Sequence, residues 1–263
     1  MRKTKERPKQ LLNPAKNRNL REGVEKVVKA VVLAAGLGKR LASITAQTPK
    51  VLVKIGEKML IEHSIDKLRK IGIKESAIVI GYKGERVKEV LGDSVAYYNQ
   101  NKPWGTAHAF LCAERFIDEP YFLGMNGDMF FTDPLSDFVT LKPPAIAVYH
   151  VDDTRRYGKL NIKNRKLVAV KEKVKKRTSG FINAGIYLFP QQIFEWVKKT
   201  TLSPRGEYEI TDAIQMMIDE GFQFTVYKLK GFWRDIACLS DLEEVKRFVA
   251  NQQLGKAGPR ARV

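Results

Sequence analysis

Apolar positions in the first half of the chain form short continuous runs that alternate with stretches of helical spacing. Val27–Ala35 is an apolar run, interrupted by Lys29 and followed by Gly36, which is typical of a strand buried on both faces. An apolar stripe recurs at helical spacing ahead of Gly72, at Ile61, Ile65, Leu68 and Ile71. The same patterns predict strands over Ser76–Tyr82 and Tyr121–Met125 and helices over Gly84–Leu91 and Ala107–Phe116.

Strand patterns dominate the second half of the chain. They predict strands over Ala145–Val151, Lys159–Ile162, Leu167–Lys171 and Phe181–Phe189. One helix face is marked by Ile210, Ile214, Met217 and Ile218. Ser240 and Glu243 have the spacing of a capping box at the start of a last helix, whose buried face is Leu242, Val245, Phe248 and Val249.

The alternation of strands and helices predicts an α/β fold. We expect a Rossmann-like mixed sheet, mostly parallel, with right-handed crossovers and helices on its faces. With 263 residues, the chain is long enough for a large core. We predict one domain over residues 25–252, a basic arm at residues 1–24, where prolines and asparagines interrupt any periodicity, and a basic tail at residues 253–263.

The charge balance favours an anionic partner or substrate. Lys and Arg number 47 against 29 Asp and Glu, which gives a formal net charge of +18. Part of this excess lies in the basic arm, which we interpret either as a solvated tail or as a contact to an acidic partner. We expect no nucleic-acid partner, because the basic residues are not interleaved with aromatic residues in a binding motif. The sequence is compatible with a homo-oligomer.

The cysteines and histidines give no indication of a disulfide framework or a zinc site. Cys112 and Cys238 lack a CxxC partner, so we expect neither a disulfide framework nor a zinc site, and a cytoplasmic location fits best. The three histidines, His63, His108 and His150, lack metal-ligand spacing. We also expect no membrane span, because no apolar run approaches the roughly 20 residues that a spanning helix needs.

A glycine loop follows the first predicted strand, at Leu33-Ala34-Ala35-Gly36-Leu37-Gly38-Lys39-Arg40. Glycines allow a backbone to approach phosphates closely, and the Arg40 guanidinium could neutralise them. A plain strand-to-helix turn would also explain these residues, because the loop is neither a P-loop nor a complete dinucleotide fingerprint. Lys50, which precedes the predicted extended segment Val51–Ile55, could reach the same phosphates or lie in solvent.

The chain resembles the sugar-phosphate nucleotidyltransferase family through an ordered set of motifs over residues 30 to 250. The glycine loop is followed by Thr48-Pro49-Lys50-Val51-Leu52, by Gln100-Asn101-Lys102-Pro103-Trp104-Gly105-Thr106-Ala107 and by Asn126-Gly127-Asp128. The later motifs are Tyr157-Gly158, Glu172-Lys173, Asn183-Ala184-Gly185-Ile186-Tyr187, Arg205-Gly206-Glu207-Tyr208-Glu209-Ile210-Thr211-Asp212 and Phe232-Trp233-Arg234-Asp235-Ile236.

This resemblance implies a role for each matched position. The residues expected to bind the nucleotide are Leu33, Ala35, Gly36, Gly38, Lys39, Gln100, Gly105 and Thr106. The residues expected to bind the substrate on the sugar side are Tyr157, Gly158, Glu172, Lys173, Asn183 and Arg205. The expected catalytic cations are Arg40, Lys50 and Lys173, and the expected metal ligands are Asp128 and Asp235, which would hold Mg²⁺. The nucleotide half would cover about residues 25–140 and the sugar half about residues 141–250.

The implied reaction transfers a nucleotidyl group from a nucleoside triphosphate to a sugar-1-phosphate and releases pyrophosphate. Such a reaction requires in-line positioning and neutralisation of a charged phosphorus centre more than covalent help. Two carboxylates, triphosphate oxygens and water suit Mg²⁺. A helix cap for Asp128 and an ordinary turn for Asp235 are the alternative interpretations.

Three departures from the family pattern affect the finer assignments. Lys39 replaces a threonine or serine, Met129 stands where some members have an asparagine that contacts the sugar, and Ala237-Cys238 replaces a Gly-Thr pair. The alternatives that remain are a mannose- or heptose-1-phosphate guanylyltransferase, a cytidylyltransferase acting on a non-sugar phosphate, and a non-catalytic nucleotide-sensing homologue. Because the chain shows no repeated hexapeptides, we expect no fused acetyltransferase.

The base-reading segment favours UTP or dTTP as the triphosphate. The Gln100 amide offers a donor and an acceptor, and the backbone near Gly105 adds a second contact. Uracil and thymine complement such a pair, whereas cytosine lacks the ring N–H. Guanine presents a similar edge, and we expect Trp104 to fill the space that the larger purine would need. A product resembling UDP- or dTDP-glucose is therefore predicted.

Overall fold

A computed structural model describes residues 27–38, 41, 48–171 and 176–256. The predicted basic arm, Lys39, Arg40, Glu172, Lys173 and residues 257–263 lie outside the described residues. The described strands are β1 (Lys29–Ala34), β2 (Lys54–Ile55), β3 (Lys58–Met59), β4 (Glu75–Ile80), β5 (Ala96–Asn99), β6 (Tyr121–Asn126), β7 (Met129–Phe131), β8 (Ala145–Val151), β9 (Lys159–Lys163), β10 (Lys166–Lys171), β11 (Gly180–Pro190), β12 (Thr225–Lys228) and β13 (Trp233–Asp235). The described α-helices are α1 (Leu60–Lys70), α2 (Gly84–Leu91), α3 (Thr106–Cys112), α4 (Ile193–Val197), α5 (Ile210–Asp219) and α6 (Leu239–Lys256).

A nine-stranded mixed sheet forms the centre of the fold. Its strand order is β5-β4-β1-β6-β11-β8-β12-β10-β9. β5, β4, β1 and β6 are mutually parallel, as are β8 and β12. β11 runs antiparallel between β6 and β8, and β10 runs antiparallel to both of its neighbours. The predicted α/β fold with a mixed, mostly parallel sheet flanked by helices is therefore confirmed.

The core lies on both faces of the sheet. Successive side chains of a strand point to opposite faces, and in β1 Val32 belongs to one buried cluster while Val31 belongs to another. The apolar stripe on α1 packs into the first cluster through Ile61, Ile65 and Leu68. This burial explains why the sequence of β1 is apolar without alternation.

Some elements differ from their prediction. Val51 and Leu52 belong to a 3-10 turn over Lys50–Leu52, Val53 is extended, and only Lys54–Ile55 forms a strand. The helix predicted over Ala107–Phe116 ends at Cys112 and is followed by a 3-10 turn over Glu114–Phe116. The last helix begins at Leu239, so Ser240 lies inside it rather than at its cap, and it continues to Lys256.

Short turns and two ribbons accompany the central sheet. Further 3-10 turns cover Gly92–Ser94 and Thr154–Arg156. β2 pairs with β3 in a two-stranded ribbon, and β7 pairs with β13 in another. Within the described ranges, no helix combines the length and the apolar composition needed to cross a bilayer.

Candidate functional site

The glycine loop follows β1 at the C-terminal ends of the parallel strands. Leu33 of β1 is in register with Asn126 of β6, and the Gly127 N–H donates to the Leu33 carbonyl over 2.8 Å. A Cβ at position 127 would lie 2.8 Å from that same carbonyl oxygen, so the close approach requires glycine. The loop and the Asn126–Asp128 segment are thereby held side by side, where open α/β sheets bind ligands.

Two aspartates far apart in the sequence meet through the β7–β13 ribbon. Asp235 of β13 is in register with Met129 of β7, and the Ile236 N–H donates to the Asp128 carbonyl over 3.0 Å. Because the strands are antiparallel, the residue before β7 comes to lie beside the end of β13. The ribbon therefore brings both carboxyl groups to one point.

The Lys50 ammonium lies between these carboxylates. Its Nζ is 2.8 Å from Asp128 Oδ2 and 3.6 Å from Asp235 Oδ1, and the side chain is 11% exposed. Burial lowers the pKa of Lys50, but the charges of Asp128 and Asp235 outweigh it and raise the pKa overall. Burial, reinforced by the Asp128 charge and opposed by Lys50, raises the pKa of Asp235 to about 6.

The two carboxylates fit a magnesium ion. Both offer oxygen donors, and both already converge on a single cation, the Lys50 ammonium. Mg²⁺ is commonly held by one or two carboxylates together with substrate phosphates and water. Among the described residues, no group of three or more His, Cys, Asp or Glu side chains could hold a metal ion. A metal at this point would thus take its remaining ligands from substrate and solvent.

A cavity of about 400 Å³ opens on the glycine-loop side of the carboxylates. Of the predicted nucleotide and cation residues, it is lined by Leu33, Ala35, Gly36, Gly38, Lys50, Gln100, Gly105 and Thr106. The cavity thus brings together two segments that are distant in the sequence, the glycine loop and the Gln100–Thr106 segment. Lys39 and Arg40, predicted for the same side, lie outside the described residues.

The backbone around Gly105 explains the glycine at that position. Gly105 has φ of +98°, and a Cβ there would lie 2.5 Å from the Tyr208 carbonyl oxygen. The Tyr208 N–H donates to the Trp104 carbonyl over 2.7 Å, and the Ala107 N–H donates to the Tyr208 carbonyl over 2.9 Å. These bonds fasten the start of α3 to the segment that precedes α5, and a larger residue at 105 would separate them.

Trp104 does not fill the cavity, contrary to the expectation that it would exclude a purine. The residue is 43% exposed and does not line the cavity. The indole packs edge-on against His108, with ring centroids 5.1 Å apart, and the Lys102 ammonium lies 5.1 Å from the indole ring. The positive φ of Gly105 turns the chain between Trp104 and α3. Steric exclusion of guanine by Trp104 therefore has no support.

A second cavity, of about 540 Å³, lies on the other side of the carboxylates. Of the predicted sugar-side residues, it is lined by Tyr157, Gly158, Asn183 and Arg205. The two cavities share part of their lining, namely Thr106, Asn126, Asp128, Glu207, Asp235 and Ala237. The carboxylate pair thus lies where the cavities meet. Glu172 and Lys173, predicted for the sugar side, lie outside the described residues.

Several side chains of the second cavity already have protein partners. Asn183 Nδ2 donates to the Tyr187 hydroxyl over 2.7 Å, and the Gly185 N–H donates to Asn183 Oδ1 over 2.9 Å. Arg205 donates to Glu209 over 2.6 Å. The Tyr157 hydroxyl, in contrast, is buried without a hydrogen-bond partner among the described residues. A buried unpaired hydroxyl is unfavourable, so the Tyr157 hydroxyl is available to a water molecule or a ligand in this cavity.

Sequence reasoning missed an ion pair that holds the segment after Asp235. Arg156 donates twice to Asp241, over 2.8 and 2.6 Å, and the Asp241 side chain is only 2% exposed. Asp241 Oδ2 also accepts the backbone N–H groups of Ala237 and Cys238, each over 3.0 Å. The acidic residue in the first turn of α6 was the available signal for this cap.

Known proteins resemble this chain over most of its length. The family model described as nucleotidyl transferase matches residues 29–252. The chain is 32% identical over 226 residues to the bifunctional protein GlmU of Methanocaldococcus jannaschii, and the match covers 85% of this chain and 54% of that protein. It is 33% identical over 234 residues to a glucose-1-phosphate thymidylyltransferase of Streptomyces griseus, with 84% of this chain and 66% of that protein covered.

A solved structure shows the same likeness. A Bacillus anthracis protein, solved with sucrose and described as a candidate glucose-1-phosphate thymidylyltransferase, superposes with a TM-score of 0.77 at 30% identity. That match covers 84% of this chain and 94% of the other.

The chain spans about half the length of the GlmU relatives, 54% to 56%.

Proposed function

The chain belongs to the nucleotidyl transferase family, and we propose that it is a sugar-1-phosphate nucleotidylyltransferase. It would convert a nucleoside triphosphate and a sugar-1-phosphate into a nucleotide sugar and pyrophosphate. The observation that carries the proposal is the Lys50–Asp128–Asp235 cluster at the junction of two cavities. Two phosphorylated substrates could approach this cluster from opposite sides, and their phosphates would meet there.

The reaction requires little proton chemistry from the protein. An oxygen of the sugar-1-phosphate attacks the α-phosphorus of the triphosphate, the new P–O bond forms, and the bond to the β-phosphate breaks. The electron pair of that bond leaves with pyrophosphate. The attacking phosphate is already ionised at neutral pH, so no general base is needed. Catalysis then depends on alignment and on positive charge around the phosphorus centre.

Residues of this chain would supply both requirements. Lys50 would neutralise charge at the junction, with Arg40 and Lys173 as further proposed cations. Asp128 and Asp235 would hold Mg²⁺, which when bound neutralises phosphate oxygens and fixes their orientation. We assign the triphosphate to the cavity of the glycine loop and the sugar to the cavity lined by Tyr157 and Asn183.

We propose UTP or dTTP as the triphosphate and a glucose-like sugar. Relatives with these activities in their names, such as the Streptomyces griseus glucose-1-phosphate thymidylyltransferase, support this choice. Gln100 and Gly105 line the first cavity and offer polar contacts that complement uracil or thymine. GTP is the principal alternative, because Trp104 lies outside the cavity.

Pyrophosphate release provides the test. The purified protein is assayed with UTP, dTTP, GTP and CTP, each combined with glucose-1-phosphate, mannose-1-phosphate or N-acetylglucosamine-1-phosphate. Reactions without sugar phosphate, and reactions with EDTA, serve as controls. We expect release that requires both substrates and a divalent metal ion. Release that is independent of sugar phosphate, or its absence with every pair, would contradict the proposed reaction, whereas a preference for GTP would overturn only the base assignment.

A further inference from the structure

The side-chain amide of Gln100 has a fixed orientation. Its Nε2 lies 2.9 Å from the Gly105 carbonyl oxygen and 3.0 Å from His108 Nδ1. A backbone carbonyl can only accept a hydrogen bond, so the atom facing it must be the amide nitrogen. The backbone of Gln100 is also held, because its N–H donates to the Ile80 carbonyl over 2.7 Å.

The same geometry defines the state of His108. One hydrogen of the Gln100 amide is directed to the Gly105 carbonyl, and the other is directed to His108 Nδ1. That ring nitrogen must therefore be the unprotonated acceptor, with the ring proton on Nε2. Burial lowers the pKa of His108, which favours this neutral form. Trp104 packs edge-on against the imidazole and holds the plane of the ring.

The consequence is that Gln100 presents a single kind of group to the cavity. Both hydrogens of its amide are engaged, and no hydrogen bond to its Oε1 is made by the described residues. Gln100 lines the cavity and is 5% exposed. Its Oε1 is an acceptor only, which matches a base with a ring N–H, such as N3–H of uracil or thymine. The N3 lone pair of cytosine would instead face an oxygen lone pair.

We propose that His108 is a positioning residue for base selection, which fixes the Gln100 amide so that the site selects triphosphates whose base carries a ring N–H. This inference rests on the proposed function. His108 acts through Gln100, lies in the first turn of α3 and lines neither cavity. Its effect should thus appear in triphosphate binding rather than in the chemical step.

Two substitutions at position 108 separate this role from simple packing. His108→Phe keeps a flat ring against Trp104 but has no acceptor for the Gln100 amide. His108→Asn supplies a side-chain oxygen near the position of Nδ1 and should restore the hydrogen bond. His150→Phe is the matched control, because His150 is exposed on β8 and its ring packs only against Phe181 among the described rings.

Steady-state pyrophosphate release is measured for the three variants and the wild type with UTP, dTTP, GTP and CTP. For His108→Phe we expect KM for UTP to rise about five- to tenfold and the preference for UTP over CTP to fall by a similar factor, the loss of one hydrogen bond. Its kcat and its KM for sugar-1-phosphate should stay within about twofold of the wild type. His108→Asn should recover most of the preference, and His150→Phe should change nothing.

Three other outcomes would overturn the inference. The first is an unchanged base preference in His108→Phe, and the second is a wild type that prefers CTP. The third is a parallel loss in kcat and in the KM values for both substrates of His108→Phe. Calorimetric titration of UTP and CTP into the same proteins decides the question even if no turnover is found. Unequal binding that His108→Phe abolishes would support the positioning role while the proposed reaction fails.

Discussion

Asp235→Asn should make the metal-free protein more stable at neutral pH while it removes the proposed activity. Burial is the main cause of the raised pKa of Asp235, the charge of Asp128 adds to it, and Lys50 opposes it. The ionised carboxylate is therefore less favourable in the folded protein than in water. Asparagine has a similar shape and carries no charge, so it relieves this penalty.

The magnitude follows from the pKa difference. The pKa of Asp235 rises from 3.8 to about 6, and each pKa unit corresponds to about 1.4 kcal/mol, so ionisation opposes folding by roughly 3 kcal/mol. The folded state binds the proton more tightly than the unfolded state. The contribution of Asp235 to stability is thus fully present below pH 3.8 and is lost as the pH rises through about 6. We expect Asp235→Asn to gain about 1–3 kcal/mol at about pH 7.5 and much less at about pH 4.5.

Urea unfolding at both pH values, with EDTA present, measures this difference. Asp152→Asn is the control, because it removes an exposed carboxylate outside both cavities. Turnover of Asp235→Asn with Mg²⁺ should fall by about a hundredfold or more, because the proposed metal site would lose a charged oxygen donor. A variant that is less stable than the wild type at neutral pH, or equally stabilised at both pH values, would refute the reasoning.

Three further predictions concern other parts of the molecule. Lys50→Ala should chiefly raise KM for the triphosphate and Lys173→Ala should chiefly raise KM for the sugar phosphate, each about tenfold to a hundredfold. Steady-state kinetics that show equal effects on both substrates would contradict this assignment of one lysine to each substrate. The free energy of unfolding of Asp241→Asn in urea should be about 1.5–3 kcal/mol lower than that of the wild type, because the Arg156 guanidinium loses a charged partner. An unchanged unfolding midpoint would count against a stabilising role for the Arg156–Asp241 ion pair. Deletion of residues 1–24 should leave turnover within a few-fold of the wild type, and a collapse of activity would show that the arm contributes to the site.

Seven of the nine strands of the central sheet could be predicted, because burial leaves a strong apolar pattern. The other two, β5 and β12, have only four residues each and are mostly half-buried, so their residues show no clear pattern. Among the elements of the fold, Gly84–Leu91 and Ala145–Val151 have the bounds that the sequence predicts. The ribbon of β7 and β13 could not be predicted, because each strand has only three residues, too few for any periodicity. The 3-10 turn at Lys50–Leu52 was missed for a similar reason, since Val51, Leu52 and Val53 have the composition of a strand.

Motif resemblance predicted which segments line the cavities, but it could not predict how their side chains pair. The sequence predicts the Lys50 ammonium at the triphosphate, and the structure places it against two carboxylates. The partners Arg156 and Asp241 are 85 positions apart, and no local pattern links them. The orientation of the Gln100 amide likewise depends on His108, which the sequence offers only as a histidine without metal-ligand spacing.

The carboxylate pair is unfavourable for stability, because two acidic side chains meet one lysine in a partly buried place. The three groups leave a net negative charge there in the absence of a ligand. A core optimised for stability would pair or remove the second carboxylate. The fold instead holds it in place, through the β7–β13 ribbon on one side and the Arg156–Asp241 pair on the other. Such an arrangement is explained if a bound cation completes the charge balance during the reaction.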